Sequence, residues 1–170
     1  MKRILFGAIA AVVLLSLGGL GFALLGLINT DADRLPSHAE AWLAGQAMDA
    51  SMQRHAPHTS NPIPATDANL IEGMKLYTMD CAGCHGGLDR KAATFGAAFY
   101  PPVPQLILDP PDDPEWHIAY AIRHGVRNTG MPAWKGQITD EEIWKITAFL
   151  SRIEKLPPAV QDQWKKSVGP

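Results

Sequence analysis

The sequence predicts an all-α chain: a single N-terminal transmembrane helix, a partly helical linker, and a small helical domain wrapped around something other than its own side chains. Three observations carry this. Residues 4–28 form an apolar run without a charged side chain. Beyond Asp67, apolar residues recur at helical spacing behind recognisable caps, and no stretch shows the alternation of a half-buried strand. Between these helices lies a Gly- and Pro-rich stretch, Gly86 to Asp112, longer than a compact domain normally tolerates without structure, so another body must fill the space.

The N-terminal segment, residues 1–30, begins Met1-Lys2-Arg3 and turns apolar from Ile4 to Ile28, ending before Asp31, Asp33 and Arg34. At about 1.5 Å per residue the run spans roughly 37 Å, enough to cross a hydrocarbon core of about 30 Å. Lys2 and Arg3 are expected to stay cytoplasmic, which sends the rest of the chain across the membrane. A cleaved signal peptide is the competing reading, with Gly21-Phe22-Ala23 as a small-x-small site, but this run exceeds the usual signal core of about 7–15 residues. Both readings export the domain.

Residues 31–66 read as a linker or stalk. Ser37 to Arg54 favours helix, with only a weak stripe from Ala41, Trp42, Met48 and Met52, and either a stalk or a docked accessory helix fits that pattern. Asn61-Pro62-Ile63-Pro64 marks the boundary with the domain, residues 67–157. Its first helix is capped by Asp67 and presents Leu70, Ile71, Met74 and Tyr77 to a core. Asp113-Pro114-Glu115 supplies a cap, a proline at the first helical position and an acidic first turn, and Gly125 closes that helix. In the last helix Thr139 and Glu142 form a capping box, Ile138 is placed to staple onto Ile143, and Ile143, Ile146, Thr147, Leu150 and Ile153 face inward. Leu156-Pro157-Pro158 ends it, and residues 158–170 read as a polar tail containing Trp164.

The charge balance argues against nucleic acid as a partner: the 170 residues carry a formal charge of −2 with 19% charged side chains and no basic patch. No phosphate loop or nucleophile elbow appears. The two cysteines lie together in Cys81-Ala82-Gly83-Cys84-His85, so no disulfide framework exists beyond that pair.

Cys-x-x-Cys-His is the attachment pattern of haem c. Two thiols one turn apart reach the two vinyl groups on one porphyrin edge, and the adjoining imidazole reaches the iron. A thioredoxin-like pair would want a strand before the motif and a helix after it, whereas here a helix precedes and Gly86-Gly87 follows. A zinc site would need four ligands and would have to recruit scattered His or Asp.

On this motif and its surroundings, residues 67–156 resemble the class I, monohaem c-type cytochromes. The resemblance implies a small all-α fold around one haem c, held covalently by Cys81 and Cys84, with His85 as one axial ligand. Gly73 and Tyr77 match the family's Gly and aromatic positions on the first helix, with Trp144 or Phe149 as the aromatic partner on the last. Gly130-Met131-Pro132-Ala133-Trp134 resembles the family's distal loop, which makes Met131 the sixth ligand; a thioether favours ferrous iron and raises the potential. Pro104-Gln105-Leu106 resembles the Pro-x-Leu in which the proline carbonyl orients the histidine and the leucine packs on the haem, although Pro101 and Pro102 leave the register open. Arg123, Arg127, Tyr100, Trp116 and Trp134 are candidates to meet the propionates, Arg127 and Trp134 being nearest the distal loop in sequence. His124 is the one serious rival to Met131, while Met74 and Met79 read as packing residues.

With His85 and Met131 both on iron, no site is left for a substrate, so the expected role is one-electron transfer between redox proteins, with no catalytic residue. The resemblance implies a bacterial inner-membrane protein with a cytoplasmic N-terminus and a periplasmic haem domain, working beside a respiratory complex, dehydrogenase or terminal oxidase. Two other readings stay open. One is a haem enzyme or gas sensor with a labile Met131, for which no distal His and Arg pair is evident. The other is a fixed subunit of a larger dehydrogenase or oxidase, with Trp164 and Ser37 to Arg54 as docking surfaces.

Overall fold

The computed structural model describes residues 1–168. Among them the regular structure is entirely helical, with one isolated bridge between Lys135 and Ile138. The chain divides into two units, the first covering Met1–Asp31 and the second beginning at Ala32. In the first, α1 (Lys2–Leu24) buries no side chain and is long and apolar enough to cross a membrane. Gly26, at φ +70°, ends the helical path.

The second unit is organised by two crossing helices, α3 (Asp67–Asp80) and α6 (Asp140–Leu150). Helix α3 buries Leu70, Met74 and Tyr77 at the expected spacing. Its cap is Thr66, whose Oγ1 accepts from Asn69 N at 3.3 Å, and not Asp67, which enters the helix as its first acidic residue. The two residues are equally suited chemically; the extended backbone at Thr66 decides. Helix α6 has the expected capping box, Glu142 Oε2 accepting from Thr139 N at 2.7 Å and Thr139 Oγ1 from Glu142 N at 3.2 Å. Ile143, Ile146, Thr147 and Leu150 are buried, and Ile153 follows in a short 3-10 turn. The helices touch backbone to backbone at Gly73, where a Cβ would lie 2.1 Å from the Lys145 carbonyl oxygen. Beside this contact the buried Lys145 ammonium is held by Glu72 at 2.8 Å and Glu141 at 2.6 Å.

The single-turn helix α4 (Ala82–His85) follows α3 directly, and α5 (Glu115–His124) packs on α6. Helix α5 starts one residue later than the sequence suggests. Pro114 takes the cap position with extended ψ, and Asp113 instead pairs with Nδ1 of the buried His117 at 3.2 Å.

For the first of two flanking segments, packing favours the docked accessory helix over the stalk; for the second it gives a helix where a tail was expected. Helix α2 (His38–His55) lies on α5 and not free as a stalk, burying Met52 and the following Ala56. The irregular strap after it continues the attachment: His58 stacks on Trp116 at 4.1 Å, and Asn61 Nδ2 donates to the Trp144 carbonyl at 3.1 Å. The expected C-terminal tail is helix α7 (Pro158–Val168), which buries Val160 and lays Trp164 against Phe149 at 5.8 Å.

Two predictions follow from this packing. Gly73→Ala forces the α3 and α6 backbones apart and is expected to cost about 1–3 kcal/mol in denaturant unfolding of the holoprotein. Under the strap, burial pushes the Glu115 carboxyl up, but hydrogen bonds from Arg152, Asn61 and Ser151 outweigh it and hold the group below its ordinary range. A depressed folded value stabilises above the unfolded carboxylate value of about 4.3, and that stability is lost as pH falls through the folded value. Glu115→Gln is therefore expected to flatten the acid limb of the stability curve, read from thermal midpoints at stepped pH.

Candidate functional site

Helix α3 delivers the motif, since Cys81 is its C-cap and α4 turns Cys84 and His85 beside it. Both thiols are free and half-buried. Burial first, then the charges of Asp80 and Cys84, pushes the Cys81 thiol up to about 12, so it remains protonated. Among the described residues no group of three or more His, Cys, Asp and Glu side chains is placed to hold a metal ion.

His85 is aimed by its surroundings. Its Nδ1 lies 2.8 Å from the Pro104 carbonyl oxygen, which can only accept, so Nδ1 carries the proton and Nε2 keeps its lone pair. Burial lowers the His85 pKa, opposed by the Pro104 contact, and favours the neutral ring that a metal needs. Behind the motif the Tyr77 hydroxyl donates to the carbonyls of His85 at 3.0 Å and Gly86 at 2.8 Å, while its ring meets Phe149 at 5.8 Å. Phe149, fully buried, is thus the aromatic partner, and Trp144 instead supplies the carbonyl that anchors the strap.

The loop carrying Pro104 is fastened by a residue the sequence reading passed over. Gln105 Oε1 accepts from Ala93 N at 2.6 Å, and its Nε2 donates to the carbonyls of Cys84 at 3.1 Å and Val103 at 2.9 Å. Gly96 presses against the same Cys84 carbonyl, where a Cβ would lie 2.2 Å away. The only sequence signal for Gln105 is a two-ended amide inside the Pro-x-Leu, which says nothing of its partners.

Met131 sits in a loop tied to itself. Its N–H donates to Thr129 Oγ1 at 3.1 Å, and its carbonyl accepts from Val126 N at 3.2 Å. Gly125, at φ +65°, lies against that carbonyl, and Gly130 lies against the Phe99 ring. Met131, Leu106 and Trp134 are half-buried against the core cluster, and Trp134 N donates to the Ile122 carbonyl at 3.2 Å.

Of the propionate candidates, three are engaged elsewhere: Arg123 with Asp140 at 2.6 Å, Tyr100 with Glu40 at 2.5 Å, and Trp116 with His58. Arg127 is exposed and Trp134 half-buried. The rival His124 is exposed and packs on Tyr120 at 4.4 Å. A surface cleft lies under the strap between His58, Asn61, Glu115, Trp116 and Arg152, and no residue of the Cys81–His85 motif lines it.

The residues present fit a haem c: two unpaired thiols one turn apart, an imidazole with its inner nitrogen satisfied and its outer one free, and half-buried apolar side chains from two loops. A family model described as cytochrome C oxidase, cbb3-type, subunit III matches residues 68–150. Cytochrome c6 from Parathermosynechococcus lividus is 29% identical over 83 residues, covering 49% of this chain and 88% of that protein. Cytochrome c6 from Thermosynechococcus vestitus is 29% identical over 86 residues, covering 51% of this chain and 71% of that protein. No solved structure gives a significant match.

Tyr77→Phe removes the donor shared by the His85 and Gly86 carbonyls and is expected to destabilise the holoprotein by about 1–3 kcal/mol, measured by denaturant unfolding.

Proposed function

We propose that His85 and Met131 would be the two residues holding the haem iron of this monohaem c-type cytochrome, and that it carries single electrons between respiratory redox proteins at the periplasmic face of a membrane. When bound, haem c would supply a one-electron iron couple. The chain's own residues do the rest. Cys81 and Cys84 hold the group covalently, and the Pro104 carbonyl fixes the tautomer and angle of His85. Met131 offers a neutral, soft sulfur that raises the potential relative to a second nitrogen. Leu106 and Trp134 exclude water beside it, and Arg127 supplies a cation for the propionate edge. The observation that carries this reading is the His85 Nδ1 to Pro104 contact of 2.8 Å, because it leaves only Nε2 for a metal.

Helix α1 would serve as anchor, raising the effective concentration of the domain near membrane-bound partners. A second reading, a fixed subunit of a terminal oxidase, is favoured by the name of the matching family model. Mild detergent extraction and native sizing separate the two: a fixed subunit migrates with its complex, and a tethered carrier runs at its own mass.

Replacing both Cys81 and Cys84 with Ala is expected to leave no haem that survives acid-acetone extraction. Met131→Ala is expected to abolish the weak red sulfur-to-iron charge-transfer band of the oxidised protein and to lower its potential. Absence of that band from the unaltered protein refutes methionine ligation.

A further inference from the structure

Helix α7 lies beyond the residues matched by the family model, which end at 150. Its inward side chains nevertheless converge on the turn that leaves the haem motif. Trp164 Nε1 donates to the Leu88 carbonyl at 2.8 Å, three residues after His85. The guanidinium of Arg90, from the same turn, lies over the Trp164 ring at 5.5 Å from its centroid. Arg90 sits at φ +58° in the left-handed region, a conformation a non-glycine side chain adopts only when its surroundings hold it there. The turn is closed by two hydrogen bonds of its own, Gly87 N to the Lys91 carbonyl at 3.3 Å and Arg90 N to the Gly87 carbonyl at 3.0 Å.

Trp164 also reaches His85 by a second route. Its ring packs on Phe149, Phe149 packs on Tyr77, and the Tyr77 hydroxyl holds the carbonyls of His85 and Gly86. The segment from His85 to Arg90 is therefore gripped at its start by Tyr77 and at its end by Trp164, with Phe149 linking the two grips. Val160, fully buried one helical turn earlier, fixes α7 in place.

We propose that α7 is a brace for the proximal ligand, with Trp164 a positioning residue that fixes the His85–Arg90 turn and through it the orientation of the His85 ring. This rests on His85 as an iron ligand. The brace works through a backbone carbonyl, so its signature is local: loss of the indole N–H loosens the turn without loosening the helical core.

The test is Trp164→Phe in the haem-loaded, full-length protein, which keeps an aromatic ring on Phe149 and deletes the donor. Amide hydrogen exchange at Gly87 and Arg90 is expected to accelerate about 2- to 10-fold, the effect of one hydrogen bond, while Ile146 in α6 and Val126 in the distal loop stay unchanged. The hyperfine-shifted ring resonances of His85 are expected to move or split. Glu40→Gln, which alters an exposed contact on Tyr100, serves as control and is expected to leave Gly87 and Arg90 alone. Trp164→Ala is expected to give the same pattern more strongly; if it does not fold, the Phe variant decides. Unchanged exchange at Gly87 and Arg90, or uniform acceleration across turn and core, overturns the brace. His85→Ala separates this result from the ligand assignment: if its haem spectrum is unaltered, the assignment fails, whatever Trp164 does.

Discussion

The absence of a side chain at Gly73 sets the geometry on which the rest of the domain depends. With the Lys145 carbonyl where a Cβ would stand, α3 and α6 approach to backbone contact. That distance brings Tyr77, one turn further along α3, against Phe149 of α6. From there the Tyr77 hydroxyl reaches the carbonyls of His85 and Gly86. A wider crossing would leave a buried phenol and two carbonyls to find other partners, at the cost that unpaired buried polar groups carry. The position of His85 in the motif is thus a consequence of how two helices touch at Gly73.

A second constraint acts from the opposite side. The long segment between Gly86 and Asp112 has little regular structure, yet its backbone is fastened repeatedly near the motif. Gln105 ties Ala93, Val103 and the Cys84 carbonyl together, and Gly96 lets the loop settle on that same carbonyl. Pro104, next to Gln105, then presents its oxygen to His85. A loop fastened at several points in this way holds the Pro104 oxygen, and with it the His85 imidazole, at one angle. The flanking helices extend the same economy: α2 with its strap closes over α5, and α7 closes over the turn after the motif.

Much of the candidate site was legible because its signals are local. Cys81, Cys84 and His85 form one turn, and Thr139 with Glu142 is a cap defined within four residues. The apolar spacing of Leu70, Met74 and Tyr77 needs only the helical period. The misreadings arose where local chemistry was degenerate. Thr66 and Asp67 cap equally well, and Asp113 lies 3.2 Å from Nδ1 of His117 where capping was expected. Three of the propionate candidates, Arg123, Tyr100 and Trp116, have partners 17, 60 and 58 positions away in the chain, which no local pattern encodes.

By itself, the sequence determined that this is an all-helical domain behind one long apolar helix, and that the domain carries covalent haem c; each follows from residue types at fixed short spacing, where backbone geometry leaves little choice. Only the tertiary structure decided that Phe149 and not Trp144 faces Tyr77, that Pro104 and not its neighbouring prolines meets His85, that residues 38–64 lie on the domain, and that the final residues form a helix gripping Leu88. The physical reason is the same in each case. These contacts join residues distant in sequence, and α7 in particular places little more than Val160 and Trp164 inward, too few apolar positions to announce a packed helix until the surface receiving them is known.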